Sequence, residues 1–283
     1  MAHLENVGRR SQERPEHSFM RMTGERLWLR LEPWLPILIV GLGLIGWETA
    51  SRAGLLSPLF FPPPTKILNT LLQMIINGKL LPHLSATLSR LAIGFSIGGL
   101  SGLVLGLGMG WSPRLRTVVD PLIAALHPIP KIAIFPLIMI IFGIGEASKV
   151  VAIAIAAFFP MLINCMSGVR QLNPVYFEVT ENYGASAWKT FSRVVFPGSL
   201  PSIFTGVRLA VNMAMVIAIA VELLAAKEGL GVIIWFSWQT LRIEELYASL
   251  IVIGVLGFGI NLAIQSISRK LAPWQVEQSE RQE

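Results

Sequence analysis

Six long apolar runs separated by short polar segments dominate the chain, over approximately 34–50, 84–110, 119–143, 148–168, 202–226 and 246–268. A hydrocarbon core about 30 Å thick takes roughly 20 apolar residues of helix to cross, so each run predicts a transmembrane helix. No gap between them is long enough for a second folded domain. The pattern predicts an all-α membrane protein. A cytoplasmic N-terminal tail over 1–32 leads into a six-span domain over 33–268 with a cytoplasmic loop over 169–201, and a cytoplasmic tail follows over 269–283. Two stretches are amphipathic rather than wholly apolar. Residues 19–31 mix Met22, Leu27, Trp28, Leu29 and Leu31 with Arg21, Arg26 and Arg30, which suits a helix lying at the membrane surface. On the outer side, residues 65–77 place Ile67, Leu68, Leu71, Leu72 and Ile75 on one apolar face behind a Thr65 cap.

Composition agrees with the pattern. Apolar residues make up 53% of the chain and charged residues 14%, with a mean hydropathy of +0.62, against about 25% charged in a soluble domain. Of the acidic residues only Asp120 is an aspartate, so intramembrane acid relays are scarce. The single cysteine, Cys165, excludes an intrachain disulfide and any multi-cysteine metal site. The net charge of +6 reads as loop anchoring rather than nucleic-acid binding. With the N-terminus inside, fourteen Lys and Arg fall on cytoplasmic segments. Seven (Arg52, Lys66, Lys79, Arg90, Lys149, Lys227 and Arg242) fall outside, which orients both termini to the cytoplasm. Arg9-Arg10 stands too far ahead of the first apolar run for a twin-arginine signal, and no A-x-A site follows that run. An uncleaved first helix is expected.

Inside the spans, Gly94, Gly98, Gly102, Gly106 and Gly110 recur every fourth residue. Such a stripe marks a face where another backbone approaches closely, either as fixed packing within this chain or as a seam that slides during a working cycle. The third span carries Pro121, Pro128, Pro130 and Pro136. It must therefore kink or unwind, and irregular backbone at membrane depth is tolerated where protein buries it or it lines a cavity. Lys131 lies there. With Asn164, Arg208, Asn212 and Glu222 it is among the ionisable and amide groups within spans, which usually face the bundle interior, and these five are the candidates for a solute path. Lys131 and Arg208 are also placed to snorkel, and Glu222 to pair with Lys227 or support a gate.

Three enzyme-like patterns are accidental. Gly41-Leu42-Gly43-Leu44-Ile45-Gly46 lies inside a hydrophobic span with no strand before it. Gly94-Phe95-Ser96-Ile97-Gly98 lacks its strand and triad partners, and Ser186-Ala187-Trp188-Lys189 stands alone. No phosphate-binding G-x-x-x-x-G-K-[ST] occurs. The segment after the fourth span is more informative. Asn173 is placed to cap a helix with Pro174 in its first turn. That helix runs through Tyr176 and Glu178 and stops at Gly184, the residue type best able to adopt a left-handed turn. Ser186 caps a second helix over 187–195, which Pro197 is expected to end. This hairpin exposes Tyr183, Trp188 and Phe191, apolar groups suited to docking in a partner's groove. The alternative is a hairpin folded back on its own membrane domain.

Residues 178–197, EVTENYGASAWKTFSRVVFP, resemble the EAA loop of permeases of ATP-binding-cassette importers. The matching positions are Glu178, Gly184 and Val194-Val195-Phe196-Pro197, while Val179 and Thr180 stand where the family has small residues. The resemblance extends over roughly 60–268. His127-Pro128-Ile129-Pro130, Phe135-Pro136-Leu137 and the run from Phe142 to Lys149 resemble the nitrate, sulfonate, taurine and bicarbonate subgroup. It implies a type I importer bundle in a bacterial inner membrane, working as a homodimer with two cytoplasmic ATPase subunits and an extracytoplasmic solute-binding protein. On that implication this chain is not itself an enzyme and holds no cofactor, since ATP and Mg are bound by the partner ATPase. Glu178, Glu181, Gly184, Ala185, Ser186, Trp188 and Pro197 are implied to couple it to that ATPase, and the solute is implied to be a small anion. The rival reading is a self-sufficient secondary transporter or channel.

Overall fold

Residues 34–272 are described in the structure, a computed structural model, and the regular elements among them are all helical. The expected surface helix over 19–31 and most of the C-terminal tail lie outside the described residues. The chain divides into two compact units between Thr65 and Lys66. In the first, α1 (Leu35–Arg52) opens with Pro36 in its first turn, where a missing N–H costs nothing. The chain then turns back toward its end, held by a bond from Ser51 Oγ to the Phe61 carbonyl (2.7 Å). Thr65 does not itself cap the helix that follows. Glu48 reaches from α1 instead and accepts from the Thr65 N–H (3.0 Å) and Oγ (2.8 Å), a carboxylate at a helix N-terminus.

That helix, α2 (Pro64–Ile76), continues into the second unit. Its buried stripe is Ile67 and Met74, whereas Leu68, Leu72 and Ile75 are exposed. The five-residue apolar face expected from sequence is therefore split. Lys66 in its first turn pairs with Glu244 (2.6 Å), and Lys79, beyond its end and just before the next helix, pairs with Glu245 (2.5 Å). Next come α3 (Leu80–Trp111) and α4 (Pro113–Leu126), then a 3₁₀ turn (Lys131–Ile134) leading into α5 (Phe135–Phe142). Two long helices follow, α6 (Glu146–Arg170) and, after the short α7 (Pro174–Asn182) and α8 (Ala187–Thr190), α9 (Phe196–Ala225). A short α10 (Leu230–Gln239) and a long α11 (Ile243–Leu271) complete the described chain.

Among the described residues four helices are long and apolar enough to cross a membrane, namely α3, α6, α11 and the run from Ala187 to Ala225. The segments 113–126 and 131–142 make a fifth span if taken together, bent by 86°. That break falls where sequence placed it. Pro128 and Pro130 remove two N–H donors and bar the helical conformation just before each. The expected first span, α1, has 18 residues, near the lower limit of roughly 17 for a spanning helix, and its last turns carry Glu48 and Arg52. The helix α10 was not expected, because a mainly apolar run of ten residues is too short to span.

The glycine stripe of α3 lies against α6. A Cβ built on Gly94 would come 2.6 Å from Ile153 Cγ2, on Gly102 2.6 Å from the Phe158 carbonyl, on Gly106 2.9 Å from Cys165 Cβ, and on Gly110 2.6 Å from Val169 Cβ. At Gly98 it would collide with the Ala154 carbonyl itself. The seam is therefore close backbone packing within one chain, along the full length of the stripe. α6 also packs on α9, and Ala152, Ala156, Ala157, Cys165, Ala210, Ala214 and Ala218 are buried in the shared core. By contrast α11 buries only Ala248 and Ser249, leaving its apolar length uncovered in the single chain.

Candidate functional site

The loop after α6 is built as its local chemistry demands. Asn173 Oδ1 accepts from the Val175 N–H (3.0 Å), with Pro174 opening α7. Past Asn182 the chain turns through Gly184 at φ +61, a left-handed conformation that costs other residues about 1 kcal/mol or more. The Gly184 and Ala185 N–H groups close the turn on the carbonyls of Glu181 and Thr180 (both 2.9 Å). Ser186 Oγ then accepts from the Lys189 N–H to start α8. Tyr183 is 87% exposed and Trp188 73%, so the tip carries two uncovered aromatic rings. Glu178 and Glu181 are exposed on α7 and, with Arg170 and Trp111, border a cleft of about 400 Å³.

Two expectations about this loop are corrected. Pro197 does not end a helix: from Ala187 the chain stays helical without a break to Ala225. Residues 191–195 widen into a π-turn immediately before Pro197, and such a widening accommodates the missing N–H and the ring's clash one turn back. Phe191 is not exposed but half-buried. It meets Trp111 edge-on at 6.0 Å and is stacked by Trp188 at 6.0 Å, while Trp111 also contacts Phe177. The base of the hairpin is thus seated on the end of α3, and only its tip projects.

Four of the five polar residues nominated within spans fall into three settings. Lys131 donates to the carbonyls of His127 (2.6 Å) and Ile129 (2.8 Å) and lies 4.4 Å over the Phe159 ring. It is the one charged group on an otherwise mainly apolar cleft of about 520 Å³ between α3, the bent segment and α6. Asn164 turns back to the Pro160 carbonyl of its own helix (2.7 Å) and packs beside Gly206. Arg208 and Asn212 share an exposed face of α9 one turn apart, and Asn212 accepts from Asn261 Nδ2 (3.0 Å).

Glu222 belongs to none of these. Its side chain is 0% exposed, and its partner is Arg90 rather than Lys227. Arg90 Nη1 donates to Glu222 (2.8 Å) and to the Glu228 carbonyl (2.6 Å). Thr87 Oγ1 donates to Glu222, and the Gly231 N–H does so at 3.1 Å. The Leu230 N–H donates to Thr87 Oγ1 (2.9 Å), and His83 Nδ1 meets Gly229. One guanidinium and one carboxylate thereby hold α3, α9 and the start of α10 together, with Glu146 and Lys149 of α6 on the other side of Arg90. Sequence reasoning counted Arg90 and Lys149 among the outer anchors. The signal that distinguishes Arg90 is its register, one turn before Gly94 on the stripe that faces α6.

The family described as "Binding-protein-dependent transport system inner membrane component" matches residues 86–276. The chain is 35% identical over 236 residues to the taurine transport system permease protein TauC of Escherichia coli (strain K12), covering 82% of this chain and 86% of that protein. It is 33% identical to the putative aliphatic sulfonates transport permease protein SsuC of the same organism, covering 89% and 95%. Among solved structures, the MetNI methionine ABC transporter in an inward-facing conformation matches with a TM-score of 0.58 at 19% identity, over 68% of this chain and 95% of that one. The bundle is therefore that of a type I ABC importer permease.

Proposed function

This chain belongs to the family of binding-protein-dependent transport system inner membrane components, and from that premise we infer that its cytoplasmic hairpin is the lever through which a separate ATPase drives import of a small sulfonate-type anion. The permease function follows from the family, and the self-sufficient carrier is set aside with it. Sulfonate chemistry is favoured because the relatives TauC and SsuC are described as transporting taurine and aliphatic sulfonates. The working assembly is two copies of this chain, two ATPase subunits that bind ATP and Mg, and an extracytoplasmic binding protein. Both termini and the hairpin face the cytoplasm. The uncovered length of α11 and the exposed face carrying Arg208 and Asn212 offer surfaces for the second copy and for the path between copies.

The observation that carries this reading is the unbroken helix from Ala187 to Ala225, which joins an exposed aromatic tip to the heart of the bundle. A groove that seats Tyr183 and Trp188, flanked by Glu178, Glu181, Ala185 and Ser186, moves the tip when the ATPase closes, and a continuous helix carries that displacement into the spans. Coupling requires that the ATPase's open and closed forms favour different arrangements of the permease. Gly184 aims the tip. A Cβ there meets nothing within 4 Å, so substitution acts through backbone strain alone. Gly184→Val is expected to abolish ATP-driven uptake in vesicles while leaving membrane insertion intact. Gly184→Asn, which tolerates the left-handed region, is expected to retain most of it. Uptake by the valine variant at the wild-type rate, or uptake by this chain with no ATPase present, would overturn the lever.

A further inference from the structure

Arg90 faces two carboxylates in opposite circumstances. Glu222 is sealed at 0% exposure, whereas Glu146 is 63% exposed although the cations that hold it, Arg90 and Lys149, are only 6% and 5% exposed. The contacts to Glu146 have a particular form. Arg90 donates from Nε to Oε2 (2.5 Å) and from Nη2 to Oε1 (2.9 Å), and Lys149 Nζ donates to Oε1 (2.9 Å). The remaining guanidinium nitrogen, Nη1, is committed to Glu222 and the Glu228 carbonyl. One edge of Arg90 is thus a permanent part of the core. The other edge, with Lys149, is a two-pronged cationic clamp whose only occupant among the described residues is a carboxylate already in water.

We propose that Glu146 is the exchangeable occupant of an anion-binding site formed by Arg90 and Lys149, which an incoming two-oxygen anion of the carboxylate or sulfonate class fills in its place. The Nε/Nη2 edge of a guanidinium matches two oxygens of either group. Releasing Glu146 costs little desolvation, because it is hydrated where it stands. Two cations against Glu222 alone leave one positive charge, which a monoanion neutralises as Glu146 did. The preceding backbone has room to move the side chain away, since a Cβ on Gly143 or Gly145 would meet nothing within 4 Å. The positive N-terminal end of α6 lies beneath the site. The clamp sits at the first residue of the 25-residue α6, and the hairpin follows its other end. Its role in receiving a transported anion rests on the reading of this chain as an anion permease with its hairpin inside.

The test is calorimetric titration of ethanesulfonate into the permease–ATPase complex in nanodiscs, without binding protein. An internal competitor lowers apparent affinity by the fraction of time the site is vacant, so removing one that holds the site nine-tenths of the time tightens binding about tenfold. Glu146→Gln is expected to show that gain, and Glu146→Asp, whose shorter side chain spans the two cations poorly, a smaller one. Adding Lys149→Met to Glu146→Gln is expected to abolish it. Equal affinity in wild type and both Glu146 variants, or a gain that survives Lys149→Met, overturns the site. ATP-driven uptake of ethanesulfonate by the wild-type importer with its binding protein is read separately. Uptake without the binding gain removes the site and leaves the permease reading standing, whereas the binding gain without uptake upholds the site and removes the sulfonate assignment.

Discussion

Gly98→Leu is expected to prevent the permease from assembling into its native bundle. A Cβ on Gly98 would stand 2.6 Å from the Ala154 carbonyl carbon and 2.8 Å from its Cα, and nearer still to the oxygen. The obstruction is backbone rather than a side chain that can swing aside. Relief requires α3 and α6 to separate, and that separation would also open the contacts of Gly94, Gly102, Gly106 and Gly110. Overpacking a well-filled core costs about 1–3 kcal/mol and occasionally more, and a clash with a helix backbone belongs at the upper end. The variant is expected as aggregate on size-exclusion chromatography in detergent, with no uptake. Gly108→Ala is the control on the same helix. Its added Cβ meets only the end of the Leu115 side chain, at 3.2 Å, and a monodisperse, active protein is expected. A native Gly98→Leu protein would show that the seam is far looser than its geometry.

Arg90→Met is expected to destabilise the bundle more than removal of the pair as a whole. Without the guanidinium, Glu222 keeps its Thr87 and Gly231 hydrogen bonds but is left as a buried carboxylate with no cation against it. Breaking one side of such a pair costs roughly 3–5 kcal/mol, whereas replacing both partners by apolar groups of similar volume is often neutral or better. Arg90→Met combined with Glu222→Met should therefore unfold at a higher temperature than Arg90→Met alone, as read by thermal denaturation of the purified permease. The rescue is expected to be incomplete, because the double variant also strands the Glu228 carbonyl and the Gly231 N–H. A double variant no more stable than the single one would show that the pair acts chiefly through those hydrogen bonds and not through charge compensation.

Much of the hairpin after α6 was legible in sequence because each of its devices is local. Asn173, Gly184 and Ser186 act within three residues of themselves, and a cap or a left-handed turn needs no distant partner. The proline break near Lys131 was legible for the same reason. Pro197 was misread because its effect depends on what precedes it: a proline ends a regular helix, but a turn already widened over 191–195 absorbs it. Phe191 was misread because exposure depends on Trp111, which lies far away in the chain at the end of α3.

The glycine stripe shows the boundary most clearly. Its four-residue period alone established that a backbone must lie against that face of α3, yet only the fold showed that α6 of the same chain supplies it. Arg90 is the sharper instance. The charge pattern placed it among the outer anchors, whereas it is buried between carboxylates that lie 56 and 132 positions away, and no periodicity links them. The chain by itself determined where most of the long helices lie, how the hairpin is capped and where the prolines break the chain before Lys131, because these depend on chemistry within a turn or two. Which buried charge meets which, and which acidic group is left in water, was decided only when the helices packed. A charge withdrawn from water must be matched by whatever group the packing brings within reach.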